Sequence, residues 1–265
     1  MGEQTIQIKR LLDLKQCQGG KLSNASLVRL NLSGANLSGA DLSFANLNGT
    51  DLSQSNLSGA HLNFANLVAA ILTQANLNGI DAHGINLFDA HLEGVELCGA
   101  DLGFANLINA KLNHANLSGA DLIGGNLIGA DLSGADLSGV CLDGVNLGQA
   151  KLVEANLSNA NLRDARLVQA DFRDADLQDI DLRNANLLNA NFQGANLNGA
   201  DLTGANLHQA NLSGANLEGA IGVYLEKPVA VEPVKPTEKP TARLSQSVLS
   251  YMSLPQSHAA ATTNL

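Results

Sequence analysis

Residues 33–60 read SGANLSGADLSFANLNGTDLSQSNLSGA and decide the fold of this 265-residue chain. A leucine stands at every fifth position of this stretch, with a small residue two positions earlier and Asn, Asp or another polar residue between them. The spacing continues from Leu22 to Leu217 without an insertion or deletion, which gives 40 pentads. Their central residues are 37 Leu, two Phe (Phe172 and Phe192) and Ala82.

A period of five fits neither the 3.6-residue turn of an α-helix nor the two-residue alternation of a flat strand. It fits a coil with four sides, one pentad per side, in which the central residue and the residue two positions earlier point inward. Such coils stack at a spacing of about 4.8 Å, and parallel crossovers are almost always right-handed. The sequence therefore predicts an all-β fold, a right-handed quadrilateral parallel β-helix of about ten coils.

The predicted β-helix spans residues 20–222, between two segments of different composition. Residues 1–19 are expected to form a short N-terminal cap, because stacked coils expose an edge that needs cover. All five prolines lie in residues 223–265, which indicates a Pro-rich linker followed by a disordered or weakly helical C-terminal tail. A partner-binding helix, a flap that folds onto the coils, and disorder all remain open for this tail.

The repeated string resembles the A(N/D)Lxx motif of the pentapeptide-repeat family. The resemblance covers about three-quarters of the chain and implies the same square right-handed β-helix. It also implies a function in binding other proteins, since the family is not known for catalysis. Some family members resemble B-DNA in width and charge and bind type II topoisomerases, which makes an acidic DNA mimic the alternative function.

Composition narrows the classes of function further. The net charge of −10 argues against direct nucleic-acid binding, which needs clustered Lys and Arg. The chain contains no phosphate-binding loop, nucleophile elbow or metal-ligand spacing, so we expect no enzyme activity, cofactor or metal. Three scattered cysteines fit a reducing compartment. With neither a secretory signal nor a transmembrane segment in the sequence, we expect a cytoplasmic protein.

Reading the pentads in steps of 20 separates four faces, named A to D after their first central residues, Leu22, Leu27, Leu32 and Leu37. On face B, the position after the centre is mostly large and apolar, and phenylalanines line the adjacent A–B corner. These residues are the candidate partner-binding set, called here the apolar stripe (Val68, Phe88, Ile108, Ile128, Val168 and Leu188) and the aromatic column (Phe44, Phe64 and Phe104). A contiguous exposed apolar surface usually marks an interface, here with a protein partner or a second copy in a homodimer. Coverage by the tail, peripheral contact with a membrane, and simple strand propensity remain open.

On face A, the position before the centre is mostly Asp. This acidic stripe comprises Asp41, Asp81, Asp101, Asp121, Asp181 and Asp201. Like charges one coil apart repel, by roughly 0.9 kcal/mol in bulk water, so the stripe either keeps the protein soluble or binds a basic partner.

On faces B and D the same position is mostly Asn, which predicts ladders of amide hydrogen bonds from coil to coil. Glycine at the last pentad position of face D predicts a turn with positive φ at that corner.

Overall fold

The computed structural model describes residues 2–223. Parallel β-bridges join each residue before a pentad centre to the residue 20 positions later, from Gln16–Asn36 to Asp201–Ile221. Four pentads therefore complete one coil, as the period predicted, and the fold is a solenoid β-helix. The bridges are isolated rather than merged into long strands, because a turn follows every pentad centre. Right-handedness remains a prediction.

One helix precedes the coils. The helix α1 spans Glu3–Leu14 and ends at Lys15, which has left-handed backbone and donates its N–H to the carbonyl of Leu11. Leu11 is fully buried in the hydrophobic core, and Ile8 packs partly buried against it. Cys17 is buried at the position five residues before Leu22, so the series of inward centres begins one pentad earlier than the sequence analysis placed it.

Every backbone N–H of the pentad around Leu102 has a hydrogen-bond partner. Asp101 donates to the carbonyl of Ile80 in the preceding coil at 2.9 Å, and Leu102 donates to Asp121 in the following coil at 2.7 Å. Phe104 also donates to the following coil, and the next pentad's Ala105 closes a turn onto Leu102. The remaining N–H, that of Gly103, donates to Oδ1 of Asp101 at 3.0 Å. Backbone groups in a solenoid would otherwise be left unpaired at substantial cost.

The core is the stack of central residues and of the small residues two positions before them. Both sets are buried through Leu202 apart from the partly buried Leu30, and the inward leucines of the last coil are also only partly buried. Phe172 and Phe192 stack inside the coils with ring centroids 4.9 Å apart. Thr50 replaces the usual alanine, and its buried hydroxyl is not left without a hydrogen-bond partner, because it donates to the carbonyl of Leu27 at 2.7 Å.

The turn prediction for face D was too narrow. Positive φ occurs at the last position of pentads on all four faces, from Gly19 to Gly219. Non-glycine residues, including phenylalanine, occupy many of these turns. The turn is therefore a property of the pentad, because each side of the coil must end in a corner of the same geometry. The predicted tail lies outside the described residues, apart from residue 223.

Candidate interaction surface

The six residues of the apolar stripe lie in the same column of face B. The carbonyls of Phe88, Ile108 and Ile128 accept hydrogen bonds from neighbouring coils, which holds these residues in register along the solenoid axis. All six are half-buried rather than freely exposed. The stripe lies on the outside of the coil, but it presents less apolar surface than the sequence implied, because stacked neighbours cover one another.

Gly148 interrupts the apolar stripe. A cavity of about 200 Å³, open to solvent, lies at this point and is lined by Ile128, Val168 and their polar neighbours. Gly148 is not among the residues with positive φ, and an added Cβ would meet no atom closer than 3.4 Å. Neither backbone geometry nor crowding therefore requires glycine here.

The aromatic column is more exposed than the stripe. Phe44, Phe64 and Phe104 are 59%, 54% and 63% exposed, respectively. Each sits at the last position of a face A pentad with φ between 55° and 59°. Left-handed backbone disfavours residues with a Cβ, and glycine, Asn and Asp tolerate it best. The same column indeed carries glycine at Gly84 and Gly124.

The exposed rings pack along the solenoid axis. Phe44 and Phe64 stack with centroids 5.3 Å apart, and the ring of His83 makes edge contacts with Phe64 at 5.9 Å and with Phe104 at 5.3 Å. Phe64 leans over Gly84, where an added Cβ would lie 2.7 Å from the ring. The glycine in the next coil therefore makes room for the ring, and a continuous aromatic surface results.

The acidic stripe is a single column in the structure, with successive members joined by parallel bridges through intervening His61, Cys141 and Asn161. Five of its six carboxylates accept the N–H of the residue two positions later at 2.9–3.1 Å, as Asp101 does from Gly103. This Asx-type turn needs only an Oδ1 acceptor, so Asp and Asn serve equally well. The carboxylates thus have a structural use that the sequence analysis did not recognise.

Asp81 differs from the other five. The N–H of His83 donates instead to Oδ1 of Asn63 in the preceding coil at 2.8 Å. Asp81 lies 3.4 Å from Nδ1 of His61, with which it forms an ion pair when the imidazole is protonated. The carboxylate of Asp81 therefore accepts no turn bond from the backbone N–H of His83. Both residues belong to face A, as the aromatic column does.

Arginine compensates the acidic stripe toward its C-terminal end. Arg183 contacts Asp181 at 2.5 Å and Asp201 at 3.6 Å. The hydrogen bond from Arg183 lowers the pKa of Asp181, against the opposing effect of partial burial. Toward the N-terminal end, the backbone N–H of Ser43 and then its hydroxyl lower the pKa of Asp41. Within residues 2–223, Lys or Arg ion pairs to Asp81, Asp101 and Asp121 are absent.

The predicted amide ladders form only in places. On face B, Asn106 donates to Asn86 at 3.0 Å and Asn206 to Asn186 at 3.1 Å, and on face D the amide of Asn216 donates to Asn196. The more frequent bond is the turn within the pentad, from the N–H after the centre to Oδ1 before it. Sequence reasoning missed this turn, although the interchange of Asn and Asp at one position was its signal.

Among residues 2–223, no group of three or more His, Cys, Asp and Glu side chains could hold a metal ion. In the part of the chain that the structure describes, no helix has the length and apolar character to cross a membrane.

Comparison with protein families identifies the class of this protein. The family model described as pentapeptide repeats matches in eight copies, and the matched ranges cover residues 16–139 and 141–219. The chain therefore belongs to the pentapeptide-repeat family. A comparison with curated proteins found no significant match.

Solved structures of pentapeptide-repeat proteins resemble the chain. HetL, involved in heterocyst differentiation regulation in the cyanobacterium Nostoc sp. strain PCC 7120, is 35% identical over 81% of this chain and 94% of its own, with a TM-score of 0.45. Rfr23 from the cyanobacterium Cyanothece 51142 is 41% identical over 36% of this chain and 62% of its own, with a TM-score of 0.22. QnrB1, a plasmid-mediated fluoroquinolone resistance protein, is 18% identical over 74% and 92%, respectively, with a TM-score of 0.37.

Proposed function

We propose that this chain is a non-enzymatic protein-binding or scaffolding solenoid that acts in the cytoplasm. In this proposal the coils have the right-handed, four-sided form expected from the pentads, and the surface along the A–B corner contacts the partner. The three cysteines, Cys17, Cys98 and Cys141, are free thiols, which fits a reducing compartment. Membership of the pentapeptide-repeat family supports the class of function but names no partner.

The observation that carries the proposal is the exposure of the aromatic column. Its three phenylalanines are each more than half exposed at turns that favour glycine. An aromatic side chain in such a place gains little for folding, whereas exposed aromatic residues are favoured at the centres of protein interfaces. The half-buried apolar stripe on face B is the second part of the proposed surface. It includes the solvent-open cavity at Gly148.

Co-purification from the native lysate tests this function. One variant carries Phe88→Asp and Ile108→Asp on the apolar stripe, and a second carries Phe64→Gly and Phe104→Gly in the aromatic column. The matched control carries Ser118→Asp and Ser138→Asp, which place the same charges at the equivalent position of face D. We expect either surface variant to lose partners that the control retains.

Two results would contradict the proposal. Identical partners on all four proteins would exclude both surfaces, and loss of partners from the control as well would point to net charge alone. Sedimentation of the purified proteins at several concentrations separates a second copy of the chain from other partners. A homodimer through the stripe predicts that the Phe88→Asp, Ile108→Asp variant sediments as a monomer.

The acidic DNA mimic is the weaker candidate. Residues 20–222 contain 20 Asp and Glu against eight Lys and Arg, whereas duplex DNA carries one charge per about 1.7 Å of its axis. Arg183 further neutralises the C-terminal part of the acidic stripe. What favours this candidate is the column of Asp81, Asp101 and Asp121, which has no Lys or Arg ion pair within residues 2–223 and which a basic protein surface could meet.

A further inference from the structure

We infer that the aromatic column is a docking site for an extended, arginine-bearing peptide segment, whose guanidinium groups stack on the phenylalanine rings while the neighbouring carboxylates pair with their charge. This inference rests on the proposed protein-binding function and names the chemistry of the partner.

Aromatic rings and carboxylates share face A. Asp101 and Phe104 belong to one pentad, and Asp121 and Gly124 occupy the same positions one coil later. Because Gly124 carries no side chain, the ring of Phe104 extends over it, with an added Cβ only 2.7 Å from the ring edge. The ring therefore lies across two coils that each contribute a carboxylate.

The charge around the column calls for a cationic occupant. Between residues 41 and 130, the pentads of face A contain four Asp and no Lys or Arg, whereas between residues 151 and 200 they contain two Asp and two Arg. The exposed rings lie only in the first of these regions. An apolar partner segment or a second copy of this acidic surface would leave the carboxylates uncompensated, so a basic partner is the complementary one.

Arginine fits the surface better than lysine. Its planar guanidinium stacks on an aromatic face and at the same time donates hydrogen bonds in a fork to a carboxylate, whereas the lysine ammonium is a compact, strongly hydrated point charge. On this surface, one arginine could stack on Phe104 and bond to the carboxylate of Asp101 or Asp121. The ring and carboxylate requirements are thus met by one side chain.

The spacing of the rings sets the conformation of the partner. Phe64 and Phe104 are two coils apart, or about 9.6 Å at the strand spacing. An extended segment in the polyproline II conformation has three residues per turn and rises about 3.1 Å per residue, so residues three apart lie on the same side, about 9.3 Å from each other. Arginines three residues apart in such a segment therefore reach the two rings, with His83 between them as a bridging aromatic surface.

The test is a titration of the full chain with defined peptides. The probe is a fluorescein-labelled peptide of four Arg-Ser-Ser units, and the comparison peptide replaces each arginine with lysine at the same charge. Fluorescence anisotropy at low and at physiological salt reports the Kd. We expect the arginine peptide to bind more tightly than the lysine peptide, by about threefold or more, because stacking adds to charge pairing.

Two double variants separate the contribution of the aromatic rings to peptide binding from that of the carboxylate charges. Phe64→Gly with Phe104→Gly places the residue already present at Gly84 and Gly124, and is expected to weaken the arginine peptide by about fivefold or more while changing the lysine peptide little. Asp101→Asn with Asp121→Asn keeps both turn acceptors but removes two charges, and is expected to weaken both peptides. The control, Asp51→Asn with Asp131→Asn on face C, is expected to leave both Kd values within about twofold of the wild type, because distant surface charges are screened.

The inference is overturned if the arginine peptide does not bind, if it binds no better than the lysine peptide, or if the double glycine variant binds it as the wild type does. Self-association that disappears in the double glycine variant, without peptide binding, would instead assign the column to a second copy. The proposed function is judged separately. If the glycine variant keeps its lysate partners and the Phe88→Asp, Ile108→Asp variant loses them, protein binding stands and this inference fails.

Discussion

Replacing Phe104 with glycine should leave the stability of the solenoid almost unchanged. The side chain is 63% exposed, so roughly 70 Å² of a ring of about 200 Å² is buried. At about 25 cal/mol per Å², this burial stabilises the fold by about 1.8 kcal/mol. Left-handed backbone at φ 55° costs a residue with a Cβ about 1–2 kcal/mol. Glycine relieves that cost, and the two effects nearly cancel.

The matched comparison is Leu102→Ala in the same pentad. Leu102 is fully buried, and deleting such a side chain typically costs about 3–5 kcal/mol through lost transfer energy and the cavity left behind. Urea unfolding followed by circular dichroism measures both variants against the wild type. We expect the midpoint of Phe104→Gly to stay close to the wild type and that of Leu102→Ala to fall clearly below it. If Phe104→Gly loses as much as Leu102→Ala, the ring is part of the core, and the argument that it serves binding is wrong.

Four further outcomes are expected. Ile80→Ala should lower the melting temperature more than a surface change such as Ser118→Ala, because Ile80 is buried beside the small centre Ala82 and fills space that a leucine would occupy; an unchanged melting temperature would refute that packing. Asp101→Asn should be nearly neutral in thermal unfolding, whereas Asp101→Ala should cost about 1 kcal/mol because the turn acceptor is lost; equal effects would deny the turn its role. Stability should fall as the pH drops below about 4, because the folded-state pKa of Asp181 is lowered and its contribution, present above the unfolded pKa, is lost on protonation; acid titrations of wild type and Asp181→Asn should differ in this range, and superimposable curves would argue against it. In a supercoiling assay with a type II topoisomerase, micromolar protein should have no effect, and inhibition would favour the DNA mimic.

The sequence was enough to predict the repeat length and the inward positions. A leucine at nearly every fifth position predicts a coil of four pentads, and the parallel bridges between residues 20 positions apart confirm this coil. The pattern also placed Ile80 and Ile85 at inward positions beside Ala82, and all three are buried; that their added methyl groups fill the space left by Ala82 stays a prediction. Periodicity reports such features well because it depends only on spacing.

The candidate surface could be predicted only in outline. The sequence located the columns of Phe44 and Phe88, but it could not show that Phe44 is largely exposed while Phe88 is half-buried, since exposure depends on neighbours in adjacent coils. The sequence also did not predict that His83 contacts both Phe64 and Phe104. This ring continues the aromatic surface across the coil that has Gly84 instead of phenylalanine. His83 belongs to the column next to that of Phe64 and Phe104, so its place in the aromatic surface is visible only once the coils are stacked.

The turn hydrogen bonds escaped the sequence analysis for a different reason. The sequence pattern predicts contacts between Asn or Asp side chains of neighbouring coils, and in such contacts the like charges of Asp101 and Asp121 would only repel each other. In the structure each Oδ1 serves the N–H two residues later in its own pentad. A local backbone donor that has no other partner decides the choice of residue, and charge is secondary to it.

The central claim is that the exposed phenylalanines serve binding and contribute little to the fold. Its most direct test is partner capture from native lysate by the triple variant Phe44→Gly, Phe64→Gly and Phe104→Gly, at a temperature where the variant and the wild type have the same circular dichroism spectrum. We predict that the folded variant captures none of the partners that the wild type retains. A folded variant with undiminished capture would contradict the claim.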